Sequence, residues 1–357
     1  MANLNFPLHK TKMGTKQTFK LESPAERQKY FRLKAGKEID KIKAYLNKGN
    51  TFMGFLVGKK NSGKGTYSKL FMEALGAKNF AHVSVGDAVR DAHKELKVPS
   101  QRKKLVKFLN DRYRGFISVD QAIDIIMGRD TTSLLPTEVI LALVERMVDK
   151  LGRKAIFVDG FPRDLDQISY SLYFRALMGY REDPDFFVFI DIPDTIIDAR
   201  MKTRVICPIC NTPFNLKLLR TKEVGYDKKK KEFYLMCDDP KCKKAKMVTK
   251  EGDSLGIGAI KGRLEKDGKI IKMLMDLQGV PKVYLRSYLP VKQAGKLVDD
   301  YEITPAYDYK FNKKTDKVEI KEVPWTVKDD EGTLSYNLLP APVVVSLIKQ
   351  VAKTLGL

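Results

Sequence analysis

The sequence predicts an α/β fold in which a parallel sheet, flanked by helices, is built around a phosphate-binding loop. Three observations carry that expectation. Residues 52–70, FMGFLVGKKNSGKGTYSKL, read as an apolar strand, a glycine-rich turn and a helix. Short apolar runs recur at 80–85, 155–158, 186–193 and 297–303, with helical patterns between them, as a parallel sheet with crossover helices requires. One of these runs, FFVFIDIP, is apolar on both faces, as expected of a strand buried inside such a sheet.

Within the first stretch, Gly58, Gly63 and Lys64 fit the pattern GxxxxGK. That spacing turns successive backbone N–H groups and a helix N-terminus toward an anionic phosphate, with Asn61 and Ser62 inside the loop. Lys64 supplies a point charge that follows a transferring phosphoryl group. Gly65 and Thr66 come next, so the run is GKGT, without the Ser or Thr that most such loops place directly after the lysine.

Composition bounds the partners. At 357 residues the chain can bury a sizeable core, and its net charge of +22 points to anionic partners: nucleotides, nucleic acid or an anionic surface. The lysines are scattered along the whole chain, which fits a generally solvated basic surface. No apolar run is long enough to span a bilayer and the first residues lack the apolar core of a signal peptide, so a cytoplasmic protein with no membrane partner is expected. All four cysteines fall between Cys207 and Cys242, a clustering that favours a metal site over disulfides.

In chain order, residues 1–22 are polar and basic and read as a flexible or loosely docked arm. Ser23, Pro24 and Glu26 then open a helix with Tyr30, Leu33, Ile39, Ile42, Tyr45 and Leu46 at helical spacing, weakened in its middle by Gly36. After the second apolar run, SVGDAVR places Gly86 and Asp87 at the end of a parallel strand, the face where ligands bind, with Arg90 one turn along. Residues 91–133 read as lysine-rich helices burying Ile117, Val119, Ala122, Ile123 and Ile126, and LLPTEVILALVERMVDKL reads as an amphipathic helix. In KAIFVDGFPRDLDQ, Asp159 ends a strand where a carboxylate can hold magnesium through water, though the same position also suits a helix cap. Arg163 and Gln167 follow at one-turn spacing, a fork for two phosphate oxygens and an amide for a base edge. In DTIIDARMKTR, Arg200 and Arg204 share a helix face, either simply solvated or closing over an anion.

The cysteines form two pairs, CPIC at Cys207 and Cys210 and CDDPKC at Cys237 and Cys242, with Lys228 to Lys231 expected at a hairpin tip between them. Four thiolates close a tetrahedral zinc site and leave no open position, which is the structural arrangement. A helix over 254–275 carrying Arg263, a fifth strand at 297–303, an added hairpin within 304–337 and a closing helix over 340–355 complete the expectation.

With GKGT, SVGDAVR, DGFPRDLDQ, FIDIP and RVICPIC in this order, residues 52–300 and the C-terminal helix resemble the adenylate kinase family of nucleoside monophosphate kinases, in the variety whose lid carries a zinc knuckle. The resemblance implies a P-loop-type three-layer core with a five-stranded parallel sheet, divided as an arm and accessory helix (1–50), core (51–85), monophosphate-binding insertion (86–150), core (151–203), zinc lid (204–253) and core (254–357) carrying the insertion 304–337. It implies that Gly58, Asn61, Ser62, Gly63, Lys64, Gly65 and Thr66 cradle the phosphates of ATP and that Asp159 orients Mg²⁺. Arg200 would lie on the ATP adenine, and Arg204 and Phe214 would approach ATP. Arg90 and Arg163 would hold the acceptor phosphate, Gln167 would read adenine, and Val85, Gly86, Leu135, Gly160 and Phe161 would line the acceptor site. Arg263 would clamp phosphates, and Lys250 or Asp253 would stand where the family has its lid-end arginine and acidic pair. The implied reaction is reversible transfer from MgATP to a monophosphate, most simply AMP, by a monomer with structural Zn²⁺.

Four departures stand out. Val85 replaces the threonine usual in the TGD turn, which leaves CMP, UMP or GMP open as acceptors. The acceptor insertion is long, and residues 304–337 and the first fifty residues have no family counterpart. A nucleic-acid-associated zinc-ribbon ATPase is the more distant alternative, opposed by the placement of the ribbon between the fourth strand and the returning helix.

Overall fold

The computed structural model describes residues 6–14, 17–128, 135–162, 182–210, 212–249 and 253–357. The chain divides into two compact units, one of Pro24–Ile190, Lys266–Leu285 and Val344–Leu357, the other of Met1–Ser23, Asp191–Glu265 and Arg286–Val343.

The first unit holds a five-stranded sheet. Strand β1 (Met53–Gly58) lies at its centre, β2 (Phe80–Ser84) at one edge, β3 (Ala155–Asp159) between them, and β4 (Asp185–Asp191) on the other side of β1, followed by an edge strand, Lys282–Arg286. β1 runs parallel to β3 and β4, and β3 parallel to β2. Phe186 to Ile190 are all buried, which is why β4 shows no polar alternation. Phe52, just before β1, packs its ring centroid 5.3 Å from that of Phe186 and 5.6 Å from that of Phe157, while Phe71 of the following helix sits 5.1 Å from Phe157. This aromatic layer fixes the helix Lys64–Leu75 on the sheet.

The accessory helix Pro24–Asn47 packs on that helix, its Arg27 fork meeting both carboxylate oxygens of Glu73 at 2.9 Å. It breaks at Ala35, beside the Gly36 that weakens the pattern. Helices Val85–Leu96, Pro99–Arg112, Val119–Gly128 and Thr137–Leu151 follow β2 in the chain. Ala122, Ile123 and Ile126 are buried as expected, while Ile117, before the helix, and Val119, its first residue, are half-buried.

The fifth strand is not where the sequence places it. Residues 297–303 contain instead a short 3-10 turn, Asp300–Glu302, closed by reciprocal Asp299 and Glu302 capping. These side chains bond the local backbone and so compete with strand pairing. KVYLR takes the edge, burying Val283 and Leu285 fully. Gln350 of the C-terminal helix Pro340–Thr354 then satisfies both backbone polar groups of Tyr284, accepting from its N at 3.0 Å and donating to its O at 2.7 Å.

In the second unit, helix Asp194–Lys202 buries Ile196, Ile197 and Met201 against Ile192, Leu264 and Tyr288. A small sheet of Pro213–Asn215, Arg204–Ile206 and Val248–Thr249 and a hairpin of Val224–Asp227 and Glu232–Leu235 carry the cysteines, with Lys228 to Lys231 at the hairpin turn. The helix expected over 254–275 is split: a 3-10 segment, Asp253–Ile260, breaks at Gly256 (φ +59°) and the α-helix Lys261–Asp276 begins after it. Residues 304–337 form a hairpin, Pro305–Asn312 with Lys317–Pro324, followed by Thr326–Lys328 and Leu334–Asn337, which pair in a sheet with Tyr288–Pro290.

The described N-terminal residues are tied down more firmly than their composition suggests. Phe6, Phe19 and Leu21 are buried, Thr11 N and Lys12 N both donate to Leu297 O at 2.9 Å, and Thr11 Oγ1 donates to the buried Glu302 carboxylate at 2.6 Å. These apolar residues follow no helix or strand period, so no sequence pattern announces the docking. Among the described residues, no helix is long and apolar enough to cross a membrane.

Candidate active site and metal centre

The parallel register places three strand ends together. Asp159 lies level with Leu56 of β1 and Ser84 of β2, so the loop after β1, the Asp159 carboxylate and the residues after β2 share one end of the sheet. Gly58 is needed there, because a Cβ would stand 2.7 Å from Ser62 Oγ and 3.1 Å from Ile190 Cβ. Gly63 caps the following helix at φ +100°, with no side chain on the helix's positive end. Asn61 also adopts positive φ, and Ser62 N closes the loop onto Lys59 O at 3.1 Å. Lys60 N donates to Asp267 Oδ2 at 2.7 Å, a support for the loop that the sequence did not announce, since Asp267 sits in a charged helix with no motif around it.

Lys64 Nζ donates to Gly58 O at 2.7 Å and to Lys59 O at 3.0 Å, and lies 4.0 Å from Asp159 Oδ1. That carboxylate oxygen is buried and has no hydrogen-bond partner among the described residues. A buried acceptor without a donor is costly unless a cation or its bound water completes it. Gly65 has open space where a Cβ would go, and Thr66 N bonds Gly63 O at 2.9 Å.

Val85 and Gly86 are buried and already helical, in place of the turn their sequence suggests. Arg90 is exposed one turn along, ion-paired with Asp87. Leu135 and Phe161 are buried, and Gly160 has φ +86° at the end of β3. Arg163, Gln167 and Lys250 lie outside the described residues. Beneath the loop, Ser68 Oγ and His82 Nδ1 are 2.9 Å apart, and burial pushes the imidazole below its ordinary range, against the pull of Asp159 and Asp87.

In the second unit the helix ends at Lys202, so Arg200 lies on it while Arg204 opens the strand Arg204–Ile206; the two do not share a helix face and are held differently. Arg204 makes a two-point ion pair with the buried Asp253, Nε to Oδ2 at 2.5 Å and Nη2 to Oδ1 at 2.7 Å. Arg200 Nη2 donates to the neutral amide oxygen of Asn337 at 3.1 Å. Phe214 packs against the cysteine cluster, and Arg263 is exposed on its helix.

Cys207, Cys210, Cys237 and Cys242 are free thiols whose Sγ atoms all lie within 4.8 Å of one another, with Cys210 and Cys237 sulfurs 3.7 Å apart. A tetrahedral metal with sulfur at about 2.3 Å requires sulfur–sulfur edges of about 3.8 Å, so the set fits a zinc ion. The longer CDDPKC spacing is absorbed by a 3-10 turn, Pro240–Cys242, in which Asp239 caps Lys241 N at 2.9 Å and turns Cys242 back. Thr212, 3.2 Å from Cys210 Sγ, lowers that thiol to about 6, while burial pushes Cys237 and Cys242 up. A dication among the sulfurs offsets the cost of their buried negative charge.

No protein-family model matches the chain. It is 30% identical over 204 residues to an adenylate kinase of Thermotoga petrophila, an alignment covering 56% of this chain and 75% of that protein. The same identity and coverage relate it to an adenylate kinase of Thermotoga maritima, and it is 27% identical over 200 residues to one of Mycoplasma mycoides.

The His82 environment sets a pH dependence of stability. Its folded-state pKa lies below the ordinary 6.5, so the unfolded chain takes up the proton first and native stability falls as pH drops below about 6.5. The urea midpoint is expected to fall between pH 7.5 and 5.5, and His82→Gln is expected to flatten that slope; identical slopes in both proteins would refute this.

Proposed function

The chain belongs to the adenylate kinase family and is a nucleoside monophosphate kinase, and from that premise we propose that it transfers the γ-phosphoryl group of MgATP reversibly to AMP. The observation that carries this reading is the meeting of Lys64, the glycine-rich loop and the unpartnered Asp159 oxygen at one end of the sheet. Lys64 already bonds two loop carbonyls, so its ammonium is held close to the loop and ready to exchange a carbonyl for a phosphate oxygen. Loop N–H groups and the helix N-terminus supply further positive potential toward bound phosphates. Asp159 would hold Mg²⁺ through water, and the ion neutralises charge on the transferring group. No general base is required, because the acceptor phosphate is already an anionic nucleophile.

AMP is favoured as acceptor by the relatives' shared name and by Gln167, whose amide suits an adenine edge. Arg90 and Arg163 are assigned to the acceptor phosphate. Releasing Arg90 from its exposed pair with Asp87 costs little, since such pairs contribute less than about 1 kcal/mol. Arg200 and Arg204 are assigned to the donor nucleotide, and Arg263 to the acceptor site, where it clamps phosphates. The four thiolates are assigned to a structural zinc that stiffens the lid without entering the chemistry. We place the enzyme in the cytoplasm as a monomer.

Purified protein with MgATP and each of AMP, CMP, UMP and GMP in turn is expected to be fastest with AMP and to make almost no ADP without an acceptor. Lys64→Ala is expected to keep the fold and lose on the order of a hundredfold or more in turnover; near-normal turnover by that variant, or a preference for CMP, UMP or GMP, would overturn the assignment to which it speaks. Elemental analysis is expected to find one zinc per chain, and Cys242→Ser is expected to lose it and to lower the melting temperature. Full stability without metal would exclude a structural zinc.

A further inference from the structure

Residues 304–337 grip the part of the chain assigned above to the donor nucleotide. Asn337, buried in the last strand of this insertion, donates from Nδ2 to Thr304 Oγ1 at 2.7 Å and to Leu338 O at 3.1 Å. Leu338 O can only accept and the Arg200 guanidinium can only donate, so the amide is oriented with Nδ2 toward Leu338 and Oδ1 toward Arg200 Nη2. Arg200 is anchored at its backbone as well, where its carbonyl accepts from Asn215 Nδ2 at 2.9 Å. The same insertion holds the start of the arginine-bearing helix through Thr195 Oγ1 to Lys328 O at 2.8 Å and Asp194 N to Asp330 Oδ1 at 2.9 Å, with Trp325 and Val327 packed on its apolar face.

The hairpin of the insertion reaches the cysteine-bearing segment. Tyr307 N donates to Lys217 O at 2.8 Å and Tyr309 OH to Leu216 O at 2.5 Å. The rings of Tyr226 and Phe311 stack with centroids 4.4 Å apart, and Lys228 pairs with Asp316 at 2.7 Å.

We propose that the insertion 304–337 is a brace for the donor-nucleotide machinery, with Asn337 as the positioning residue for Arg200. The proposal rests on the reading that Arg200 lies on the base of ATP. The choice of acceptor is chemically apt. A carboxylate, as Arg204 has in Asp253, would cancel the charge of the guanidinium, whereas a neutral amide oxygen fixes its plane and leaves its charge and flat face available for an aromatic base. A free arginine side chain carries considerable rotamer entropy, and a fixed partner removes part of that cost from nucleotide binding.

The test measures kcat and KM for MgATP and for AMP in the full chain bearing Arg200→Ala, Asn337→Ala, both together, or Thr304→Val, which frees the Asn337 amide while leaving Arg200 and Asn337 in place. Arg200→Ala and Asn337→Ala are each expected to raise KM for MgATP about tenfold, the size of a lost hydrogen bond to a charged group, with KM for AMP and kcat within about twofold. The double variant should be no worse than Arg200→Ala alone, and Thr304→Val should move KM for MgATP in the same direction by less. If Arg200→Ala raises KM for MgATP while Asn337→Ala leaves it unchanged or shifts both substrates equally, the positioning role is overturned. If Arg200→Ala itself leaves KM for MgATP unchanged, the donor assignment of Arg200 falls and the brace falls with it. Should Asn337→Ala not fold, Thr304→Val decides by the same criterion.

Discussion

Strand β1 is hydrogen-bonded on both edges and buried on both faces, and the geometry of the glycine-rich loop at its end follows from that constraint. Because β3 and β4 fix its register from either side, the point at which β1 ends is also fixed, and the loop must turn there. Ile190 of β4 and Ser62 press on the turn at Gly58, so only a residue without a side chain fits. Asp159, at the end of the neighbouring strand, is carried to within 4.0 Å of Lys64 by register alone. The phenylalanine layer behind β1 makes this arrangement rigid, since moving the helix after the loop would open a cavity among Phe52, Phe71 and Phe157.

The cysteine-bearing module of the second unit solves a different problem with little apolar material. Its cysteine-bearing strands are short, and the buried residues around them are chiefly the cysteines themselves with Leu235 and Met247. So small a core contributes little to holding a single conformation, and the four sulfurs are placed to take a metal that would supply what packing does not. Aromatic stacking from the 305–324 hairpin adds a further support on the same segment. Arg204 and Asp253, which flank the module in sequence, close its base with a two-point ion pair.

Much of this was legible in the sequence where local chemistry and periodicity agree. GKGT after an apolar run, the fully apolar FFVFIDIP and the paired cysteines each point to one structure. Legibility failed where tertiary contacts decide. KVYLR becomes the fifth strand only because Phe187 N reaches Pro281 O and Gln350 covers its outer edge, while the acidic residues at 299–302 turn on themselves. Docking of Phe6, Phe19 and Leu21 has no period to detect. Asp267 and Asn337, which support the loop and Arg200, are separated from their partners by 207 and 137 positions, and nothing in their immediate sequence marks them.

In the reaction proposed for this enzyme, a phosphoryl group passes directly from nucleotide to nucleotide and not to water. The most direct measurement follows ATP labelled at the γ-phosphate, incubated with the protein, Mg²⁺ and unlabelled AMP. Label is predicted to appear in the β-phosphate of ADP, with little released as inorganic phosphate. Label released mainly as inorganic phosphate at a rate independent of AMP would contradict it.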